Sequence, residues 1–216
     1  MENDQFAATS SAEIYRQYFD RISSQYKPLS RYSFECISTC ITHLRSHLPV
    51  TTTSFLDIGS GDGCPAAACL SEMPWIRITC LDASFPMLEL GRARLNSYPH
   101  LAYAFVQGEA MQLPFLANTF DVVLSSCMIH LVENRFILFR EAARVLKSGG
   151  SICILTYDHA DLEQQLVHRY FPLFNNIDRN RHPSIATLID ELRESGFAMQ
   201  RRERFPYEFQ FATREE

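Results

Sequence analysis

Apolar residues along this chain form two alternating patterns, short continuous runs and longer stretches with helical spacing. The short runs are typical of buried parallel strands and lie at residues 55–58, 75–81, 102–107, 120–126 and 151–157. Helical spacing recurs at residues 12–25, 32–48, 65–73, 133–147 and 184–195. Alternation of this kind is typical of a parallel sheet covered by helices on both faces. The pattern therefore predicts an α/β fold, with two further short strands over residues 197–213.

The first strand runs into a turn in which glycine occupies every second position. Residues 54–64 read S-F-L-D-I-G-S-G-D-G-C, so Gly59, Gly61 and Gly63 alternate with Ser60 and Asp62. Glycine permits a positive φ and a close approach of the backbone to a ligand, and the N-terminus of the next helix follows directly. We therefore expect the turn, including Ser60, to bind a cofactor.

The spacing of this turn disfavours the two common phosphate-binding motifs. The dinucleotide fingerprint requires a glycine where this chain has Cys64, and the P-loop requires a lysine that the turn lacks. Asp57 precedes the glycines and Asp62 lies among them, so a pyrophosphate would be repelled and a cationic ligand attracted. A sulfonium compound that also carries an amino group is such a ligand.

This stretch resembles motif I of the class I S-adenosylmethionine-dependent methyltransferases, an acidic residue followed by three alternating glycines. Asp57, Gly59, Gly61 and Gly63 match that motif position for position. The resemblance implies a doubly wound, Rossmann-like α/β fold in three layers, with a seven-stranded, mostly parallel sheet. It also implies that the cofactor is S-adenosyl-L-methionine and the product S-adenosyl-L-homocysteine.

Two later segments match the same family in the same order. Asp82 ends the second predicted strand about 20 positions after the glycines, where doubly wound folds bind a ribose, although NAD shares that ribose. The segment that follows resembles the family's D-x-S-x-x-M-L pattern, which places Ala83 and Met87 near the adenosine. The octapeptide G-E-A-M-Q-L-P-F resembles the family's G-D-A-x-x-L-P-F, which assigns the adenine to Glu109 and Ala110. Taken alone, that glutamate would be interpreted as a solvated surface residue.

The candidate acid–base group follows the fourth predicted strand. Ser125 lies near the carboxyl end of this strand and is expected to contact the cofactor. His130 lies in the loop beyond it, where open α/β sheets form their ligand crevice. A histidine can accept a proton near neutral pH, so His130 is the candidate catalytic base. The alternative is a histidine that caps the next helix or lines the pocket.

Aromatic and basic residues in two regions form the candidate acceptor site. The segment F-D-R-I-S-S-Q-Y at residues 19–26 resembles the opening of ubiquinone- and menaquinone-type methyltransferases, in which an N-terminal helix and a tyrosine close over the cofactor. Tyr18 and Tyr26 are therefore expected to contact the cofactor, unless they are ordinary core residues. Residues 158–183 follow the fifth strand, where acceptor-binding insertions occur in this family, although a packing helix with solvated basic residues is the alternative. The candidate substrate-binding residues are Tyr15, Tyr157, His159, Arg179 and Arg181.

Composition limits the function further. The chain has 216 residues and a net charge of -5, which gives no basic field for nucleic acid. No apolar run reaches the roughly 18 residues of a membrane span and no signal peptide is evident, so a cytoplasmic location is expected. Seven cysteines, an odd number, fit buried reduced thiols. Cys36, Cys40, His43 and His47 lie along one predicted helix, too extended to share a zinc ion, so no metal is expected.

We therefore expect one methyltransferase domain, with a helical lid over residues 1–50, a cofactor-binding core over 51–157, and a substrate-side insertion with C-terminal strands over 158–216. The expected reaction transfers a methyl group from S-adenosyl-L-methionine to a small-molecule acceptor. The acceptor atom and the oligomeric state are left open. Two alternatives remain, a cofactor-binding partner or scaffold without turnover, and an NAD-dependent oxidoreductase that shares the fold and Asp82.

Overall fold

The structure is a computed structural model that describes residues 10–26, 31–49, 51–158, 181–199 and 201–204, with the side chains of residues 31–36 excluded. Its elements follow in the order α1 (Ser11–Ile22), a 3-10 turn (Ser23–Gln25), α2 (Arg31–Arg45), β1 (Ser54–Ile58), α3 (Cys64–Glu72), β2 (Arg77–Asp82), α4 (Phe85–Leu95), β3 (Ala102–Gln107), β4 (Phe120–Ser126), a 3-10 turn (Ile129–Leu131), α5 (Arg135–Val145), β5 (Leu146–Leu155) and α6 (Ile185–Glu194).

The five described strands form one parallel sheet in the order β3-β2-β1-β4-β5. Strand β1 pairs with β2 on one side and with β4 on the other, so the direction of chain progression reverses at β1. In open α/β sheets, ligands bind at the carboxyl ends of the strands where this reversal occurs. The predicted doubly wound α/β core is confirmed, and its topology places a crevice directly above the glycine turn.

Helices cover both faces of the sheet because the side chains of β1 alternate in direction. Leu56 and Ile58 point to one face and pack in a cluster with Phe139 of helix α5. Phe55 points to the opposite face and packs in a cluster with Leu70 of helix α3. These side chains are almost completely buried, and burial of each contributes about 1.5–3 kcal/mol. The result is the predicted three-layer arrangement.

Three predicted element boundaries are wrong, and tertiary contacts explain them. Helix α5 ends at Val145 and strand β5 begins at Leu146, whereas the pattern extended the helix to residue 147 and began the strand at 151. Leu146 pairs with Phe120 of β4, and a register shift in this ladder accommodates the intervening glycines. Strand β2 begins at residue 77 because Trp75 lies in an exposed turn, with the guanidinium of Arg45 5.4 Å from its ring centroid.

The C-terminal strands are not seen in the described part of the chain. Residues 197–199 and 201–204 are described and adopt no strand, contrary to the prediction that a strand begins at 197. The other positions of the predicted pair of strands lie outside the described residues. A seven-stranded sheet therefore stays a prediction beyond the five strands described.

Candidate functional site

The glycine turn is tied by hydrogen bonds to the end of strand β2. The backbone N–H groups of Gly59 and Ser60 donate to the carbonyl oxygen of Leu81, at 2.8 and 3.0 Å. The N–H of Gly61 donates to the Oδ2 atom of Asp82, at 2.8 Å. The turn and the carboxylate predicted to bind a ribose therefore form one hydrogen-bonded unit at the crevice.

Each glycine of the turn has a positive φ, and two of them are also required by close packing. A Cβ atom at Gly59 would collide with the side chain of Met128, and one at Gly63 would lie 3.0 Å from the backbone of helix α4. A Cβ at Gly61 would meet only the Cε atom of Met87, at 3.6 Å. Gly61 is therefore the glycine of this turn with open space above its backbone, where a ligand could approach.

Asp57 is a buried carboxyl group that accepts no hydrogen bond from the described part of the chain. It lies at 0% exposure in β1, and neither carboxyl oxygen has a hydrogen-bond partner among the described residues. Burial, followed by repulsion from Asp82 and Asp62, raises the pKa of Asp57 to about 8. An orphaned carboxyl group beneath the turn favours a ligand that brings a positive charge and hydrogen-bond donors.

Two further carboxylates surround the turn and have partners. Asp82 also accepts a hydrogen bond from the N–H of Ser84, at 2.9 Å. Burial raises the pKa of Asp82 in spite of its backbone hydrogen bonds. Asp62 forms an ion pair with Arg94 at 2.5 Å, which ties the turn to helix α4.

The crevice opens into a cleft of about 1950 Å³. Most of the predicted site residues line it, and four of the described ones, Asp57, Gly63, Ser125 and Arg181, do not. Asp57 and Gly63 lie beneath the cleft surface, and Ser125 is buried within β4, whereas its neighbours Ser126 and Cys127 line the cleft. His159 and Arg179 lie outside the described residues. The predicted residues that line the cleft are Tyr15, Tyr18, Tyr26, Gly59, Ser60, Gly61, Asp82, Ala83, Met87, Glu109, Ala110, His130 and Tyr157.

Helix α1 lies across this cleft and is hydrogen-bonded near each end to a loop that follows a sheet strand. At its N-terminus, Ser11 Oγ donates to Glu133 Oε2 at 2.7 Å, in the region after β4. Near its C-terminus, Asp20 Oδ1 accepts from Ser84 Oγ at 2.6 Å, in the loop after β2. Sequence reasoning did not identify these two contacts, because polar residues on a helix give no indication of distant partners.

The predicted tyrosines of the N-terminal region differ in environment. Tyr18 is 51% exposed and packs edge-on against Phe19, with ring centroids 5.3 Å apart. Tyr26 is half-buried; burial, and next the charge of Asp62, raise its pKa to about 12. Its hydroxyl is therefore a neutral hydrogen-bond donor near the turn at physiological pH.

The acceptor side of the cleft contains a stacked pair of imidazole rings, the His130–His182 pair. The ring centroids lie 4.3 Å apart with an interplanar angle of 19°. Tyr157 approaches His182 edge-on at 6.5 Å, and Arg181 lies over the ring of Tyr15 at 5.6 Å. His182 was not among the predicted site residues. Only the fold brings it onto His130, since it precedes helix α6 and lies far from His130 along the chain.

The backbone after β4 adopts an uncommon conformation at the cleft. Cys127 has a φ of 52°, in the left-handed region that non-glycine residues rarely occupy. Its N–H donates to the carbonyl oxygen of Leu155 at 2.9 Å, which fixes this turn against β5. Met128 follows and packs over Gly59. Sequence pattern does not reveal such strain, which concentrates at functional sites.

Two histidines considered above for metal binding, His43 and His47, lie close to a carboxylate. His43, His47 and Glu203 offer ligand atoms within 4.8 Å of one another. The guanidinium of Arg201 contacts both the ring of His47 and the carboxylate of Glu203. A positive group therefore already contacts two of the three candidate ligands.

The fold and the glycine turn together are those of the class I methyltransferases. Residues 56–154 match the profile of the family described as "Methyltransferase domain". Over these residues the chain is similar to this family, in agreement with the family predicted from the motifs of the turn.

Curated relatives with similar sequences are quinone methyltransferases by name. The chain is 31% identical to the ubiquinone/menaquinone biosynthesis C-methyltransferase UbiE of Paracoccus denitrificans, over 73% of this chain and 62% of that protein. It is 32% identical to the demethylmenaquinone methyltransferase of Thermotoga maritima, over 63% of this chain and 58% of that protein. The chain thus spans about three fifths of the length of these relatives.

Solved structures share the fold at low sequence identity. A methyltransferase of Thermotoga maritima, described as a possible histamine N-methyltransferase, superposes with a TM-score of 0.64 at 22% identity, over 85% of this chain and 81% of that one. A methyltransferase structure from Methanococcus maripaludis gives 0.64 at 21% identity, over 92% and 90%. Among the described residues, no helix is both long and apolar enough to cross a membrane.

Proposed function

We propose that this chain transfers a methyl group from S-adenosyl-L-methionine to a small-molecule acceptor. The observation that carries this proposal is the set of carboxylates around the glycine turn. Asp57, Asp62 and Asp82 lie together at the carboxyl ends of β1 and β2, and Asp57 lacks a hydrogen-bond partner among the described residues. A cationic cofactor would favour the ionised form of Asp57, whereas a pyrophosphate would bring a like charge to this group of carboxyls.

The residues present fit this cofactor. When bound, S-adenosyl-L-methionine supplies a methyl group activated by a sulfonium. The backbone of the turn from Gly59 to Gly61 would take the methionine part, and Asp82 has free acceptor capacity for ribose hydroxyls beside the bonds it already accepts. Glu109 lines the cleft beyond β3, where the family motif places the adenine.

The protein's contribution to such a reaction is mainly placement. Methyl transfer requires nucleophile, carbon and sulfur in line, and positioning of this kind can contribute about 7–11 kcal/mol to catalysis. Helix α1 covers the cleft and is proposed as a lid, with Tyr18 and Tyr26 toward the cofactor. Tyr15, Tyr157 and Arg181 are proposed for the acceptor side, together with His130. The names of the curated relatives support a small organic acceptor.

The structure disfavours an NAD-dependent oxidoreductase on electrostatic grounds. A dinucleotide would bring a pyrophosphate to the turn, where Asp57 and Asp82 are acidic groups and offer it no positive charge. The remaining alternative, a cofactor-binding scaffold without turnover, would use the same cleft and is separated by measuring product. A reducing, intracellular setting is part of the proposal, supported by the free thiols of Cys64, Cys69, Cys80 and Cys153.

Calorimetric titration with S-adenosyl-L-homocysteine tests the role of Asp57. Because the pKa of Asp57 is about 8 without ligand, the group is largely protonated at pH 7. A bound ammonium group would favour the carboxylate, so binding is expected to release a proton and the affinity to rise between pH 6.5 and about 8. Titrations in two buffers of different ionisation enthalpy measure that proton. The Asp57→Asn protein is expected to bind about tenfold or more weakly and without this proton release.

The matched control is Asp190→Asn, which removes an exposed carboxylate on helix α6. It should bind S-adenosyl-L-homocysteine like the unmodified protein. Equal affinity and equal proton release in Asp57→Asn would contradict the assignment of Asp57, and tighter binding of NAD would contradict the proposed function. Methyl transfer itself is then measured with radiolabelled cofactor and a set of small acceptors.

A further inference from the structure

The His130–His182 pair carries an inference about the acceptor, which rests on the proposed methyl transfer. We propose that the acceptor is a hydroxyl compound, that His130 removes its proton, and that His182 is the positioning residue that fixes His130. Nothing in the sequence motifs assigns a role to His182, and the family profile ends at residue 154. The structure places its ring on that of His130 at 4.3 Å.

The surroundings of His130 restrict the orientation of its ring, as a positioned catalytic base requires. His130 lies in a 3-10 turn directly beyond the carboxyl end of β4, and its ring lines the cleft that begins at the glycine turn. His182 is only 8% exposed and sits just before the helix cap at Ser184, so packing restricts its ring. A nearly parallel stack holds the plane of the His130 ring, and His130 lines the cleft.

The stack also affects how many protons the two imidazole rings can carry together. Two imidazolium rings 4.3 Å apart would repel each other strongly, so the pair accepts one proton readily and a second only with difficulty. When one ring carries a proton, the other is favoured in its neutral form and can accept a proton from the acceptor. Among the described residues, the other titratable and charged groups on the surrounding elements include Tyr15, Arg16, Glu133, Tyr157, Asp158 and Arg181.

A base held in this way matters most for a hydroxyl acceptor. A neutral amine is already nucleophilic, whereas a hydroxyl becomes a good nucleophile only as its proton is removed. In the proposed step the acceptor O–H bond breaks and its proton moves to a ring nitrogen of His130. The oxygen forms the new bond to the methyl carbon, and the S–C bond breaks with its electron pair remaining on sulfur, which becomes a neutral thioether.

The first test needs no acceptor. Histidine ring signals of the protein saturated with S-adenosyl-L-homocysteine are followed by NMR as the pH is varied. We expect the His130 and His182 signals to titrate together in two separated steps, and His130 to titrate in one step in the His182→Phe protein, which keeps a ring but loses its nitrogens. His100→Ala, which removes an exposed histidine outside the cleft, should leave both steps unchanged. Independent single-step titration of the two rings in the unmodified protein would overturn the inference.

The second test compares acceptors. Phenols and catechols are offered beside primary amines, with radiolabelled S-adenosyl-L-methionine. We expect hydroxyl probes to be methylated, and His182→Ala to lower kcat for the best probe by roughly tenfold or more with the acceptor KM within about twofold. His182→Phe should recover part of this loss by restoring the stack. Methylation confined to amines, or an unchanged kcat in His182→Ala, would overturn the inference.

The two proposals fail in different ways. Loss of S-adenosyl-L-homocysteine binding in the unmodified protein, or binding without methylation of any probe, contradicts the proposed function, and the NMR titration still decides whether the two rings share a proton. Retained affinity for S-adenosyl-L-homocysteine in both His182 variants shows that they are folded.

Discussion

A glycine can be required for two separate reasons, a left-handed backbone conformation and a lack of space for a side chain. Gly59 has a φ of 69° and lies against Met128, whereas Gly149, with a φ of 78°, has nothing within 4 Å of the position that a Cβ atom would occupy. The two positions therefore share the conformational requirement and differ in crowding. This difference makes them a matched pair for experiment.

We predict that Gly59→Ala destabilises the protein more than Gly149→Ala. Both changes incur the roughly 1–2 kcal/mol cost of a left-handed alanine, and Gly59→Ala adds a collision that forces Met128 to move, at about 1–3 kcal/mol. Urea unfolding of the two variants measures the difference. S-adenosyl-L-homocysteine should also bind less tightly to Gly59→Ala alone. Equal unfolding free energies for the two variants would show that Met128 moves aside for the new methyl group without a loss of stability.

The sequence predicted best the candidate site residues that are placed by the local path of the backbone. The turn glycines and Asp82 occupy one motif, and the structure brings them together by hydrogen bonds. Ser125 was expected to contact the cofactor but lies inside the sheet, opposite Ile58 of β1. A shift of one residue along a strand reverses the direction of the side chain, and sequence pattern does not locate the end of a strand that closely.

Among the elements, helix α1 contributes most to the shape of the cleft. It lies over the carboxyl ends of the strands and is attached by Ser11 to Glu133 and by Asp20 to Ser84. None of its residues is fully buried, so it adds little to the core. An element attached mainly by polar contacts can open while the core stays folded, which supports the proposed lid.

We predict that Asp20→Ala accelerates release of S-adenosyl-L-homocysteine without unfolding the core. A hydrogen bond to a carboxylate contributes about 1.5–3 kcal/mol, so an increase of the dissociation rate by about tenfold or more is expected. Stopped-flow displacement measures the rate. The matched control is Asp190→Ala, since that aspartate also lies on a helix surface and pairs with an arginine of its own helix. An unchanged dissociation rate in Asp20→Ala would show that this contact does not restrain the cofactor.

At the scale of the whole molecule, one carboxylate joins the strands below the site. Asp121 in β4 accepts hydrogen bonds from the N–H groups of Thr53 and Ser54, at 3.0 and 2.9 Å, and from Lys147 at 2.8 Å. Partial burial alone would raise the pKa of Asp121, but these hydrogen bonds outweigh it and hold the pKa well below its usual range. This contact fixes the amino ends of β1, β4 and β5 relative to one another.

We predict that Asp121 contributes to stability at neutral pH and that this contribution is lost in acid. Because its folded pKa lies below the unfolded value, the contribution is complete above about pH 4 and declines as the pH falls further. Asp121→Asn should lower the free energy of unfolding at pH 7 by about 1–3 kcal/mol and flatten its decline below pH 4. Urea unfolding from pH 2.5 to 7 measures both effects. Asp190→Asn, at an exposed position, should retain the original profile, and an Asp121→Asn profile that matches it would contradict the prediction.

The sequence by itself determined the class of fold, the family that the chain resembles and the position of the glycine turn. These features depend on local order along the chain: strand and helix periodicity, the spacing of the glycines, and the position of Asp82 at the end of the next strand. The parallel sheet and the match over residues 56–154 confirm that part. Boundaries such as the start of β5 were wrong because pairing with β4 outweighs local propensity there.

Only the tertiary structure decided which distant side chains meet. The stacking of His182 on His130, the bond from Ser84 to Asp20 and the isolation of Asp57 each join or separate residues far apart in the chain. No periodicity encodes such contacts, because they arise when the crossover at β1 and β4 brings several loops to one edge of the sheet. The environment at that edge then sets the charge of each group, which is why the pKa of Asp57 follows from burial in the fold and not from its place in the motif.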